Sequence, residues 1–357
     1  MKKSYPKPVV AGLASYGMSG IVFHAPLLHA HPGFFLKSVV QRNRQDAGNR
    51  YPSIKIEKDY KGLLQDDEIE LIIVNATNDT HLSFTKSALE AGKHVVVEKP
   101  FVNTVKDGRL LLELAEKTGK VLSVFQNRRW DSDFLTVQKV VKTGLLGRIV
   151  EYIGSFDRYR NFIQENTWKE DTGPGSGLLY NLGPHLIDQA LVLFGNPEAL
   201  QADIRKVRTG TKVDDYFDIS LYYPGLKARV HSSYLVREPF PRFTLHGTSG
   251  SFIKFGLDPQ EEALKAGGIP GLPGWGIEDE SIHGILNTEW KGIHIQGKVT
   301  SEHGDYLAYY ENIYDAIRNG RPLIVPARES LANIYVIEKA FESIWEGKVV
   351  SLELHNI

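Results

Sequence analysis

The chain contains no cysteine among its 357 residues. Disulfides, thiolate nucleophiles and cysteine-ligated zinc or iron–sulfur centres are therefore excluded, and a reducing compartment is the natural setting. An excess of one charge is also missing: Lys and Arg number 42, Asp and Glu 43, and the net charge is −1. Neither nucleic acid nor an anionic membrane surface is an expected partner. No apolar run approaches the ~18 residues of a membrane-spanning helix. The start, Met1 to Lys7, leads into a short strand-like run and shows no signal peptide. The 12 histidines show no ligand spacing such as H-x-x-x-H beside an acid, so no metal is expected. Internal repeats and low-complexity tracts are lacking too. These absences leave a cytoplasmic enzyme as the expectation, long enough for two domains.

What is present begins with a rhythm. Strand-like apolar runs at Val9–Ala14, Phe35–Val40, Glu70–Asn75, His94–Val97 and Val121–Phe125 alternate with helical patterns. Continuous apolar runs suit strands buried on both faces of a parallel sheet. The helix Thr80–Ala91 is stopped by Gly92. The helix Thr104–Lys117 opens on Thr104 and Asp107, spaced as a capping box, and is stopped by Gly119. Alternating β and α predicts a doubly wound Rossmann sheet over residues 1–125.

From residue 126 the period changes to two. Ile149–Arg158, Leu200–Val207, Tyr216–Tyr223, Lys227–Tyr234 and Phe243–Gly247 alternate apolar and polar residues. That pattern predicts an open, mostly antiparallel sheet in an α+β domain over 126–357. Gly267 to Gly276 reads as a long loop. Helical patterns Glu302–Asn319 and Arg328–Glu346 close the chain, with Tyr309, Tyr310 and Tyr314 spaced as core or interface residues.

The first strand runs into Ser15-Tyr16-Gly17-Met18-Ser19-Gly20. The dinucleotide fingerprint wants G-x-G-x-x-G here; Ser15 replaces the first glycine, while Gly17 and Gly20 keep their places. Gly17 would let backbone approach a pyrophosphate, and Gly20 would let helix and strand pack closely. A tight strand-to-helix turn is the plainer alternative. After the second strand come Gln41 and Arg42, where an NAD enzyme usually has an acid for the ribose 2′-hydroxyl. An arginine can pair with a 2′-phosphate, so NADP is expected over NAD, unless Arg42 is only a solvated charge. Ala76, Asn78 and His81 follow the strand Glu70–Asn75, where short polar side chains line a nicotinamide–ribose site or cap a helix. The strand His94–Val97 ends in Glu98-Lys99-Pro100, placing a lysine where α/β sheets bind ligands; a solvated charge pair is the alternative.

Together these segments resemble the glucose–fructose oxidoreductase and inositol dehydrogenase family, Gfo/Idh/MocA. The resemblance is carried by Ser15–Gly20, Glu98-Lys99-Pro100, Gln126-Asn127-Arg128-Arg129, Gly177–Asp188 and Tyr309–Ile317. Asp258–Leu264 resembles the NADP-dependent scyllo-inositol dehydrogenase-like branch. The resemblance implies a nucleotide domain followed by an open-sheet domain, and hydride transfer between a nicotinamide and a sugar or polyol carbon. It also implies that Lys99 lies in the catalytic site, with a Lys99–Pro100 bond that can be cis.

Oxidising a secondary alcohol needs a hydride acceptor, a base for the hydroxyl proton and a donor for the developing alkoxide. His185 suits the base and Lys99 the donor. Asn181, His185 and Asp188 share one face if their segment is helical. Pro184 suits a first helical turn, so a helix start between Asn181 and Gly183 is expected, with Asn181 as cap or site residue. The family usually has Asp at position 181; Asn keeps the shape and drops the charge. Arg158, Arg160 and Trp168 are further substrate-side candidates, and Asp188 either orients a neighbour or meets a substrate hydroxyl. A redox-assisted glycosidase and a weakly catalytic NADP-binding sensor are the rival readings. The expected assembly is a homodimer or homotetramer, through an exposed sheet face.

Overall fold

A computed structural model of the chain describes residues 3–165 and 167–357, without the side chains of Trp168 and Asn356. The chain forms two compact units: Met1–Asn127 with Gln260–Trp275 and Asp305–Leu331, and Arg128–Pro259 with Gly276–Gly304 and Ala332–Ile357. Two late segments, assigned by sequence to the second domain, thus fold with the first. The reason lies in the helix Leu307–Asn319, whose buried Tyr309, Tyr310, Ile313 and Tyr314 complete the first unit's core. Tyr309 Oη meets Ser123 Oγ at 2.9 Å, and Arg318 Nη1 donates to Glu70 Oε1 at 2.9 Å. This helix starts five residues later than its sequence pattern suggested.

The first unit holds a six-stranded parallel sheet: β1 (Val9–Leu13), β2 (Phe34–Val40), β3 (Lys55–Glu57), β4 (Leu71–Val74), β5 (His94–Val97) and β6 (Leu122–Val124), in the order β3-β2-β1-β4-β5-β6. Leu71 to Val74 and Val95 to Val97 are fully buried, as continuous apolar runs require. The helix Val105–Thr118 begins as its sequence indicated, with Thr104 Oγ1 accepting from Asp107 N at 3.2 Å, and ends at left-handed Gly119. The helix after β1 is unusual. It opens with a π-helical turn, Gly20–His24, and continues as Ala25–Ala30, the amide of Ala25 reaching back to the Gly20 carbonyl. The wide turn accommodates Pro26, which has no N–H to give.

The second unit is built on nine strands: β7 (Ile149–Ser155), β8 (Ala199–Arg205), β9 (Tyr216–Tyr223), β10 (Leu226–Ser233), β11 (Phe243–Gly247), β12 (Gly250–Lys254), β13 (Gly284–Trp290), β14 (Ile293–Val299) and β15 (Val350–Ser351), ordered β14-β13-β12-β11-β7-β10-β9-β8-β15. Only β7 and β10 pair in parallel. Phe217, Ile219, Leu221, Ala228 and Val230 form one buried face, against which the helix Gly177–Phe194 packs. Alternate residues such as Lys227 and Arg229 are exposed. The helix Ser132–Thr143 and strands β12 to β14 are not anticipated by the sequence pattern.

The helix Gly177–Phe194 corrects one expectation. It begins four residues before Asn181 and carries Pro184 in its interior. Its start is fixed from outside: Leu178 N donates to the Asp214 carbonyl at 2.8 Å and Leu179 N to Asp214 Oδ2 at 2.7 Å. Orphan amides of a first turn need such acceptors. Gly177 has φ +89°, and a Cβ there would lie 2.1 Å from Asp214 Oδ1, so only glycine fits. Asn181 is therefore not a cap.

Candidate active site

The order of the first sheet reverses between β1 and β4, the place where doubly wound sheets bind their ligands. Asn75, just past β4, spans that gap. Its Oδ1 accepts from Ser15 N at 3.0 Å and its Nδ2 donates to the Ser15 carbonyl at 2.9 Å. Ser15 in turn accepts from Gly17 N through Oγ at 3.2 Å, so the serine in place of the first glycine braces the loop. A Cβ on Gly20 would stand 2.6 Å from the Ser15 carbonyl oxygen and 3.0 Å from Asn75 Nδ2. One on Gly17 would meet only Ser15 Oγ, at 3.4 Å. Gly20 is thus needed by the fold, whereas Gly17 leaves an open approach. That open glycine, before a helix N-terminus, fits a dinucleotide pyrophosphate. Tyr16 is buried, and Met18 is exposed beside it. Asn75 escaped attention in the sequence because a polar residue after a strand is common.

At the end of β2 the structure turns Gln41 inward. Its carboxamide donates to Asp46 Oδ1 at 2.5 Å and accepts from Ala47 N at 3.0 Å. The hydrogen bond from Gln41, with the Arg44 charge, holds Asp46 below the usual carboxylate range. Arg44 pairs with Asp46 at 3.4 Å and donates to the Tyr16 carbonyl at 3.1 Å. Arg42 is exposed.

The lysine turn follows β5. Lys99–Pro100 is a cis peptide bond. Glu98 Oε1 is 3.0 Å from His24 Nε2, and its Oε2 accepts from Lys99 N at 3.1 Å. Burial opposes ionisation of Glu98, but the hydrogen bond from His24 and the nearby charges outweigh it and hold the group below its ordinary range. His81 opens the helix His81–Glu90 and neither caps it nor reaches outward. Its Nδ1 donates to the Pro100 carbonyl at 2.8 Å, and burial lowers its pKa. Asn78 is buried in the 3₁₀ turn Asn78–Thr80, whose N-cap is Thr77, so Asn78 is not the cap; Ala76 is half-buried. Asn127 is buried and opens the 3₁₀ turn Asn127–Trp130 that follows β6.

In the second unit, Asn181, His185 and Asp188 lie at i, i+4 and i+7 of the helix Gly177–Phe194. His185 is buried and Asn181 half-buried. Asn181 Nδ2 makes a long hydrogen bond of 3.5 Å to Tyr234 Oη. The guanidiniums of Arg160 and Arg208 lie over the Tyr234 ring, 5.1 and 4.7 Å from its centroid. Arg208 is itself held by Glu170 at 2.8 Å and Asp215 at 2.8 Å. Arg158 lies over Phe156, 5.4 Å from the ring centroid. Asp188 faces Arg129 in a buried pair at 2.7 Å. The backbone of Trp168 belongs to the 3₁₀ turn Trp168–Glu170; its side chain lies outside the described residues. Among the described residues no helix is long and apolar enough to cross a membrane, and no group of His, Asp or Glu is arranged to hold a metal ion.

Two family models match the chain. The one described as oxidoreductase family, NAD-binding Rossmann fold, covers residues 9–126, and the one described as oxidoreductase family, C-terminal alpha/beta domain, covers 138–352. An oxidoreductase of Escherichia coli K12, YdgJ, is 39% identical over 93% of this chain and 95% of its own length. The scyllo-inositol 2-dehydrogenase (NADP(+)) IolW of Bacillus subtilis 168 is 37% identical over 97% of this chain and 96% of its own. Among solved structures, an oxidoreductase from Bacteroides fragilis is 49% identical with a TM-score of 0.90, over 97% of this chain and 100% of that one.

Proposed function

We propose that this chain, which belongs to the Gfo/Idh/MocA oxidoreductase family, is an NADP-dependent dehydrogenase acting on a secondary alcohol of a sugar or polyol. NADP, when bound, supplies the hydride acceptor. The observation that supports NADP over NAD is the end of β2. There the carboxamide of Gln41 is spent inside its own loop, the Asp46 carboxylate is taken up by Gln41 and Arg44, and Arg42 is exposed. An anionic 2′-phosphate meets a guanidinium there and no free acid. Ser15, Tyr16, Gly17, Met18 and Gly20 would cradle the pyrophosphate. We assign Ala76, Asn78 and Asn127, in the segments that follow β4 and β6, to the nicotinamide ribose.

Lys99, as an ammonium, steadies the alkoxide, and an imidazole nitrogen of His185 takes the hydroxyl proton. Asn181 keeps an acceptor oxygen near His185 without charge. Arg160 and Trp168 are assigned to the substrate side. Asp188 is better suited to holding Arg129 than to touching substrate. A scyllo-inositol-like polyol is the first substrate to test, by similarity to IolW. We assign the protein to the cytoplasm and to a homodimer or homotetramer, supported by exposed Ile285, Trp290, Ile293 and Ile295 on β13 and β14.

The test is a spectrophotometric screen of inositols, aldoses and sugar acids with NADP and with NAD. Turnover with NADP on a polyol or aldose is expected. A preference for NAD of more than about tenfold, or 1.4 kcal/mol, would overturn the cofactor assignment. Tight NADPH binding without turnover on the whole panel would favour the sensor.

A further inference from the structure

We propose that His24 is a positioning residue for Lys99: through Glu98 it ties the helix that follows the phosphate loop to the turn that carries the lysine. The inference rests on the reading of Lys99 as the alkoxide-binding group.

His24 ends the π-helical turn whose first residue is Gly20 of the phosphate loop. The ring is fully buried, with Phe125 at 4.4 Å between centroids. Both nitrogens are engaged. Nε2 is 3.0 Å from Glu98 Oε1, and Nδ1 is 2.6 Å from Tyr310 Oη. The second oxygen of Glu98 accepts the amide of Lys99 at 3.1 Å. An ionised Glu98 accepts at both oxygens, so Nε2 carries a proton toward it. Burial raises the Tyr310 phenol well above its ordinary pKa, so it stays protonated. Hydrogen bonds thus run unbroken from Tyr310 through His24 to Glu98.

The groups facing this chain are Lys99 and His81 from the two adjoining turns and Tyr309 from the Tyr310 helix. His81 holds the other side of the lysine through the Pro100 carbonyl at 2.8 Å. Residues 98 and 100 are therefore gripped by separate helices, and Lys99 lies between them. One of those helices starts at the phosphate loop. A ligand seated there bears on Lys99 through His24, without touching the lysine. π-helical turns often mark such places.

The imidazole allows a paired test. A glutamine amide mimics Nε2 and an asparagine amide mimics Nδ1. His24→Gln should keep the Glu98 contact, whereas His24→Asn should lose it and keep Tyr310. Two readouts need no substrate: the rate at which acetic anhydride labels Lys99, followed by peptide mass spectrometry, and the NADPH dissociation constant from its fluorescence. His24→Asn is expected to change both by about tenfold, the weight of one charge-assisted hydrogen bond. His24→Gln should restore them toward the wild-type values. Equal behaviour of the two variants, or wild-type values in a folded His24→Asn, overturns the proposal. If His24→Asn does not fold, Glu98→Gln decides, and unchanged Lys99 labelling in it is equally fatal. Absence of turnover on every polyol and aldose in the wild type would instead refute the functional reading, and the labelling result would still stand.

Discussion

Both carboxylate oxygens of Asp188 accept from one guanidinium, that of Arg129, with Nε to Oδ2 and Nη2 to Oδ1 each at 2.7 Å. Asn333 adds a third donor to Oδ1 at 3.3 Å. Both partners are buried. Asp188→Asn breaks a buried, bidentate ion pair by removing its carboxylate, a change that costs about 3–5 kcal/mol. Its urea midpoint should fall clearly below that of the wild type. A midpoint within error of wild type would mean the pair is not what holds this helix.

Asp214 should make stability depend on pH. Burial raises its carboxyl to about 6, against hydrogen bonds from its neighbours that favour ionisation. A folded pKa above the unfolded value means the neutral form is favoured by folding. The stability contributed is full below about pH 4 and is lost as pH rises through 6, at up to about 1.4 kcal/mol for each pH step of one. Asp214→Asn removes the titration and keeps an acceptor for Leu179. The melting temperature of the variant, relative to wild type, should rise between pH 4 and 7, and a constant difference would contradict the assignment.

The two loop glycines should fail differently. Gly20→Ala forces a methyl to 2.6 Å from the Ser15 carbonyl, an overpacking worth about 1–3 kcal/mol, so both melting temperature and NADPH affinity should drop. Gly17→Ala meets only Ser15 Oγ at 3.4 Å, so the melting temperature should hold while NADPH affinity falls. Loss of stability in Gly17→Ala would show that its open side is not reserved for a ligand.

Asn181→Asp places a carboxylate one turn from His185, close enough to favour the imidazolium. The acidic-limb pKa of kcat/KM should rise. An unmoved pH profile would mean residue 181 does not tune the base.

Signals that act over a few residues are legible in the sequence, and those that need distant partners are not. Thr104, Asp107 and Gly119 marked a helix because caps act over a few residues. The start of the helix Gly177–Phe194 is not readable from local sequence, because its acceptor, Asp214, is 35 residues from Leu179. Pro184 pointed to a first turn, and local rules give no hint that packing and a distant cap outweigh one missing N–H. Asp188 reads in the sequence as orienting a neighbour or meeting a substrate hydroxyl, and only the fold shows that it is buried against Arg129, 59 residues away. Gln41 looked like a cofactor contact, and its loop claimed both ends of the carboxamide.

The β/α alternation of the first unit, the two kinds of sheet and the family follow from residues near one another in the chain: apolar period, glycines at a strand end, a lysine before a proline. Those signals act through sterics and backbone hydrogen bonding over a few residues, so one sequence carries them whole. Tertiary structure alone decided that Asn75 braces the phosphate loop, that His24 and His81 grip the residues flanking Lys99, and that the helix of Tyr310 belongs with the first unit. Each of those contacts joins residues far apart in sequence. Their partners are chosen by what burial leaves unsatisfied, and that is known only once the chain has folded.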